Sequence, residues 1–373
     1  MSAAQRPAVL LLGLVSRHAG RNGGGLATTL VLLANGLARL GYPVALASTG
    51  KPLGVDEDIT WLPLARRHCL GQAAQLAWYL HRYRPGALLS FEMRAARIAL
   101  EALLLSRYGG RYGAAFHNAL LAPMASWSQE RFRQRAALLQ RIASRAVALI
   151  TPSAGLADEL AGLLGRDAIA AVLPIPNPID SVALRHMADS GPLLPGIDTG
   201  GELVVSSGRL VAQKDFITLL KAGAMVARSR PIRLAILGDG PQRATLARAG
   251  SSLGLADKVT WCGHLDNPWA VVARAKVFAF ASHYEGFGNA LAEAVALGIP
   301  SCATDCPHGP REILEQGHLG RLTPVGQPEA LAEAIIHTLD HPMPPEVLRA
   351  SAQRFEPRQQ ALRYAAALGL PSP

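Results

Sequence analysis

Four cysteines in 373 residues are too few and too scattered for a disulfide scaffold. Cys302 and Cys306 are close, but Cys69 and Cys262 stand alone, so no zinc ligand set is completed. They read as buried thiols of a reducing compartment. No run of 18 apolar residues occurs, which excludes a membrane-spanning helix. The apolar stretch Ala8 to Val15 is too short for a signal peptide and lacks a cleavage site. The cytoplasm is therefore the expected location. Aromatic residues make up only 5% of the chain and do not interleave with basic ones, which argues against a nucleic-acid surface. Charged residues are also sparse, at 17%, against 50% hydrophobic ones, a globular and not a disordered composition.

Acidic charge is missing mainly from one half. The net charge is +10, yet residues 179–373 hold 18 basic and 18 acidic side chains. Residues 1–178 hold 19 basic and 9 acidic ones, so the whole excess lies there. A GC-rich coding bias accounts for 32 arginines against 5 lysines, but not for this asymmetry. A basic half implies an anionic partner: nucleic acid, a phosphorylated substrate or an anionic membrane surface.

The length suggests two domains, and the pattern repeats accordingly. Short apolar runs such as Val44 to Ser48, Ala87 to Phe91 and Ala146 to Ile150 alternate with helical stretches up to residue 174. The segment Pro174-Ile175-Pro176-Asn177-Pro178 then breaks the rhythm. Residues 179–200 read as an irregular linker. The rhythm resumes at Glu202 to Ser207 and runs to a helix over 327–339. Such alternation argues for two doubly wound α/β domains, at 1–178 and 201–350. A final helix over 351–370 is expected to pack back on the first domain.

The most informative stretch is Glu285-Gly286-Phe287-Gly288-Asn289-Ala290-Leu291-Ala292-Glu293. The apolar Val277 to Ala281 before it reads as a buried strand, and Ala290 to Leu297 as a helix stopped at Gly298. Ligands of open α/β sheets bind at the carboxyl ends of strands, where such loops lie. Glycines there let backbone approach a ligand, and a helix start offers free amides. Carboxylates only accept hydrogen bonds, so Glu285 and Glu293 favour a polyhydroxylated ligand, a sugar or ribose, over a bare phosphate. The bland reading is two solvated acids beside a turn.

Other residues fall at strand ends. His117 follows the apolar Gly113 to Phe116, where an imidazole could act as a base or orient a hydroxyl. Gly23, Gly24 and Gly25 lie between the first strand and first helix, without dinucleotide-fingerprint spacing. Arg209 and Lys214 sit in the first loop of the second half, and together form a natural diphosphate clamp. The helix over 127–146 carries Arg131, Arg133, Arg135, Arg141 and Arg145, which could face an anionic acceptor, anionic headgroups or only solvent.

Taken together, these motifs resemble the GT4-type retaining glycosyltransferases of GT-B fold. The resemblance rests on Ser207-Gly208-Arg209-Leu210 with Gln213-Lys214, on Leu237-Gly238-Asp239-Gly240-Pro241, on the paired-glutamate stretch, and on Thr304 to Ile313. Looser support comes from Gly23 to Gly25, Phe116-His117-Asn118, Ile150-Thr151-Pro152-Ser153 and Pro176-Asn177-Pro178. It implies two Rossmann-like domains facing a cleft. The first, with the C-terminal helix, would bind the acceptor; the second would bind a nucleotide-sugar donor. Arg209 and Lys214 would hold the donor diphosphate, and Glu293 the ribose hydroxyls. Glu285 would support positive charge at the anomeric carbon. The amides of Phe287, Gly288, Asn289 and Ala290 would grip hydroxyls and phosphate, Gly23-Gly24-Gly25 would close on the phosphates, and His117 would contact the sugar. The resemblance also implies no metal and no cofactor, a hexose or N-acetylhexosamine from a UDP-sugar, and a glycan or polyprenyl-diphosphate acceptor at the inner membrane face. A GDP-sugar, a sugar-nucleotide epimerase or a phosphorylase are the competing enzymes. The Arg209, Lys214, Glu285 and Glu293 combination argues against the last two. A basic nucleic-acid-binding protein is the non-enzymatic alternative.

Overall fold

The computed structural model describes residues 7–14, 25–65, 69–121, 128–165, 170–191, 197 and 201–373. The chain divides into two compact units: residues 1–178 with 355–373, and residues 179–354.

The first unit is a parallel seven-stranded sheet. Its strands are β1 (Val9–Leu12), β2 (Val44–Ser48), β3 (Thr60–Pro63), β4 (Ala87–Phe91), β5 (Arg111–Ala115), β6 (Ala148–Thr151) and β7 (Ala171–Pro174), in the spatial order β3-β2-β1-β4-β5-β6-β7. Strands β1, β2 and β4 are buried along their whole length. They read as continuous apolar runs because helices cover both faces of a parallel sheet. Leu10 and Leu12 of β1 face one core, and Val9 and Leu11 the other. The first core is closed by α2 (Cys69–Tyr83), α3 (Glu92–Ser106), α4 (Gln129–Ala143) and α5 (Ala154–Leu164); the opposite one by α1 (Gly25–Arg39) and the C-terminal helix.

The second unit is a parallel six-stranded sheet of β8 (Glu202–Ser207), β9 (Ile232–Leu237), β10 (Val259–Gly263), β11 (Val277–Phe280), β12 (Ser301–Thr304) and β13 (Gly320–Thr323), ordered β10-β9-β8-β11-β12-β13. Its helices are α6 (Ser181–Ser190), α7 (Phe216–Val226), α8 (Arg243–Ser252), α9 (Trp269–Val272), α10 (Asn289–Leu297), α11 (Pro310–Ile313), α12 (Pro328–Asp340) and α13 (Pro345–Ala352). In both sheets the winding reverses beside the first strand, between β1 and β4 and between β8 and β11. Ligands of doubly wound sheets bind at the carboxyl ends of such a pair.

Two expectations need correction. Residues 181–190 form α6 inside the stretch read as an irregular linker. Asp180 caps this helix by accepting from the Ala183 amide at 2.9 Å, and its buried side includes Leu184 and Ala188. The expected single helix over 351–370 is instead two. Helix α13 ends at Ala352 in the second unit, and α14 (Pro357–Ala367) belongs to the first. Pro357 opens α14, where its missing amide costs nothing. Gly36 allows α14 to sit close to α1: a Cβ there would lie 3.1 Å from the Pro357 carbonyl oxygen.

Candidate functional site

Two loops meet at the carboxyl ends of β8 and β11. After β8 come Gly208, Arg209 and Leu210, then a single 3-10 turn over Ala212–Lys214. The neighbouring Gly238-Asp239-Gly240 loop clasps this segment. Leu210 donates its amide to the Asp239 carbonyl at 3.0 Å, and Gln242 donates to the Leu210 carbonyl at 3.1 Å. The approach is so close that a Cβ on Gly238, whose φ is +122°, would stand 2.1 Å from the Gly208 carbonyl oxygen. Only glycine fits there. The clasp fixes the backbone of Arg209, whose side chain is exposed and makes no ion pair among the described residues.

The second loop is tied to the first. His283 donates its amide to the Gln213 carbonyl, and the Gln213 side chain donates to the Tyr284 carbonyl, both at 2.8 Å. Lys214 Nζ bonds Glu285 Oε1 and lies 5.1 Å from the centre of the Phe280 ring. Ser282 Oγ also donates to Oε1, at 2.6 Å. Glu285 is buried at 7% exposure, and its Oε2 takes no hydrogen bond among the described residues. The structure thus joins Lys214 to Glu285 and leaves one carboxylate oxygen for a ligand.

A third loop backs the second. Glu285 donates its amide to the Pro307 carbonyl at 3.2 Å. Gly309, at φ +90°, lies so near Phe287 that a Cβ would fall 1.7 Å from the Phe287 carbonyl oxygen. Arg311 closes this loop on Asp305 through its guanidinium. Phe287 itself is a buried core side chain, so only its backbone can serve a ligand. Gly288, at φ +104°, begins α10 without a side-chain cap; Asn289 and Ala290 are its first residues. Glu293 lies one turn into α10 and accepts from the Trp269 indole at 3.2 Å. Burial pushes its carboxyl up to about 7, against the opposing effect of that hydrogen bond.

The first unit supplies a separate cluster. His117 follows β5 and is buried, with its ring stacked on Phe91 at 5.5 Å between centres. Its Nδ1 lies 2.8 Å from Asn177 Oδ1. Glu92 Oε1 accepts from the His117 amide at 2.9 Å and from the Asn118 side chain at 2.8 Å. Burial lowers the His117 ring to about 4, with the Asn177 hydrogen bond opposing. Burial raises Glu92, against those two hydrogen bonds and the Arg135 charge. Gly23 and Gly24 lie outside the described residues, and Gly25 opens α1. Arg131, Arg133 and Arg141 are exposed along α4, while Arg145 lies beyond its end. One Asp-x-Asp triplet is present, Asp56-Glu57-Asp58. It precedes the amino end of β3, away from the strand ends where the loops gather, and Asp56 pairs with Arg39 at 3.1 Å.

The sequence matches two known families. Residues 23–182 match Glycosyltransferase Family 4, and residues 195–355 match Glycosyl transferases group 1. The chain belongs to the GT4-type glycosyltransferase family. Among similar proteins is the lipopolysaccharide core biosynthesis glycosyltransferase LpsE of Rhizobium meliloti, 35% identical over 133 residues, covering 36% of this chain and 38% of LpsE. Another is the N-acetylgalactosamine-N,N'-diacetylbacillosaminyl-diphospho-undecaprenol 4-alpha-N-acetylgalactosaminyltransferase of Campylobacter jejuni, 31% identical over 134 residues, 36% of each chain. The matches therefore span under two fifths of these relatives. Anabaena Alr3699/HepE, solved with UDP and glucose, superposes with a TM-score of 0.79 over 97% of this chain and 99% of that one, at 20% identity. The apo lipopolysaccharide outer core galactosyltransferase WaaB gives 0.72 over the same shares, at 17%. These likenesses show the GT-B fold.

The chain also has residues that sequence reasoning left without a role. Trp269 orients Glu293, Ser282 shares Glu285 with Lys214, and Glu92 and Asn177 hold His117. Asp215, at φ +43°, caps α7 and lies 3.5 Å from His283 Nε2. Only Asn177 had a signal, its place between two prolines.

Proposed function

We propose that the enzyme moves a hexose or N-acetylhexosamine, with retention of configuration, from a UDP-sugar to a glycan or lipid-linked acceptor of a cell-surface polysaccharide. The observation that carries this reading is the Lys214–Glu285 pair at the β8/β11 switch point, with Glu285 Oε2 taking no hydrogen bond among the described residues. The names of the relatives and the UDP-bound neighbours support it. Arg209 and Lys214 would neutralise the departing diphosphate, replacing a metal ion in that role. The uncapped start of α10 would add amide donors. Glu285 would stabilise positive charge developing at the anomeric carbon. Glu293 would accept from the ribose hydroxyls. The basic first unit would serve an anionic acceptor at a membrane surface. No helix among the described residues is long and apolar enough to cross a membrane.

A thermal-shift screen of nucleotide-sugars in chelator tests the reading. A donor at about 100 times its Kd stabilises by about 2.7 kcal/mol, a shift of several degrees. UDP-sugars should give it without added metal; a shift with GDP-sugars alone would change the nucleotide, and none with either would reject the reading.

Glu293 adds a pH signature. Its folded pKa of about 7 lies above the ordinary 4.5, so the unliganded fold holds an extra proton between those values. Ribose hydroxyls donate to the carboxylate and favour its charged form. UDP-glucose, whose diphosphate has no ionisation of its own near neutral pH, should therefore release protons on binding near pH 6.5 and bind more tightly as pH rises to about 7. Calorimetry in buffers of different ionisation heat reads this release, which Glu293→Gln should abolish.

A further inference from the structure

The first unit holds a cavity of about 350 Å³ at the amino ends of its strands, the edge opposite His117. Its walls include Tyr42 and Val44 around the start of β2 and Thr60 at the start of β3. Ala38 and Tyr83 add the last turns of α1 and α2. Small-molecule sites run from roughly 300 to 1,000 Å³, so the cavity suits a compact ligand. Tyr42 is only 7% exposed, yet its hydroxyl has no hydrogen-bond partner among the described residues. The same holds for the Tyr83 hydroxyl, the Thr60 hydroxyl and the Asp58 carboxylate, which also border the cavity. Water can serve the exposed Asp58 and Thr60, but a buried phenol is normally paired.

The electrostatics of the cavity run against those of its surroundings. Its described lining has one carboxylate and no lysine, arginine or histidine, within the half of the chain that carries the whole positive excess. Helices α1 and α2 both bring their carbonyl ends, which carry partial negative charge, to its rim. A carboxylate only accepts hydrogen bonds, and a tyrosine ring attracts a cation to its face. The nearby cations are engaged: Arg39 pairs with Asp56 at 3.1 Å, and Arg82 lies 5.6 Å from the centre of the Tyr83 ring. We propose that this cavity binds a small organic cation, whose ammonium meets Asp58 and the Tyr42 ring and whose apolar body rests on Val44 and Leu62. Such a ligand is opposite in charge to the anionic donor and acceptor proposed above, and the inference stands without them.

NMR of the full chain with ring-labelled tyrosine tests this, since the chain has only seven tyrosines to resolve. Tyr42→Phe and Tyr83→Phe assign the two signals. Three probes share one body and differ in charge: phenethylammonium, 2-phenylethanol and phenylacetate. Phenethylammonium should shift Tyr42 and Tyr83 saturably, and phenylacetate should leave both unmoved. The alcohol should bind about fivefold more weakly than the ammonium, for want of the ion pair and the attraction to the ring. Asp58→Asn should weaken the ammonium about fivefold, the scale of an exposed ion pair, and leave the alcohol unchanged. Because Asp58 is exposed, this variant should keep the fold. Saturating UDP should not displace the ammonium. Equal binding of the three probes, or an ammonium affinity untouched by Asp58→Asn, would overturn the cation reading. A shift of neither tyrosine with any probe, or displacement by UDP, would overturn the site itself.

Discussion

Glu285→Gln is expected to lower turnover about 100- to 1,000-fold, the scale for removing one preorganised electrostatic group. The substitution keeps the shape of the side chain and an oxygen for the Ser282 hydroxyl and the Lys214 ammonium. What it removes is the negative charge that, in the proposed reading, would lie beside the anomeric carbon. Its effect on binding should have the opposite sign. In the proposed site Lys214 would divide its charge between Glu285 and the donor diphosphate, so neutralising Glu285 would free it for the ligand. UDP should bind the variant as tightly as wild type or tighter, while kcat collapses. Unchanged turnover in a folded variant would remove Glu285 from the chemistry.

Arg209→Ala and Lys214→Ala should both weaken UDP binding about 10- to 100-fold, since hydrogen bonds to charged groups contribute about 1.5–3 kcal/mol. Their stabilities should differ. Arg209 is exposed and makes no ion pair among the described residues, so its loss leaves no orphan there. Removing Lys214 strands the carboxylate of Glu285, which is only 9% exposed. Breaking such a buried pair costs about 3 kcal/mol or more. Calorimetry should find both variants weak for UDP, and denaturant unfolding should find only Lys214→Ala destabilised. Equal stabilities would mean that the Lys214–Glu285 contact contributes little to the fold.

The strand–helix rhythm was legible because parallel strands covered on both faces must be apolar throughout, as β1, β2 and β4 are. Helix α6 was not, because its ten residues lie among proline and glycine segments and its order comes from Asp180 and from packing on α9 and α10. The turn before α14 was missed for a related reason: Pro357 opens a helix as readily as it ends one. In the site, the glycine loop between Glu285 and Glu293 announced close backbone approach, but not its partner. The approach to a ligand stays a proposal; the close approach the structure shows is that of Gly309 to the Phe287 carbonyl, behind the loop. The Lys214–Glu285 pairing spans 71 residues and His117–Asn177 spans 60. Sheet order brings such groups together, and local spacing carries no trace of it. Gly23 and Gly24 lie outside the described residues, so their expected closure on the donor stays a proposal.

The most direct measurement is a calorimetric titration of UDP into the wild-type protein and into Arg209→Ala, in chelator. The account predicts one site per chain, at least tenfold weaker in the variant. Absence of binding to wild type, or equal affinity for both proteins, would contradict a nucleotide-sugar site built on the β8 and β11 loops.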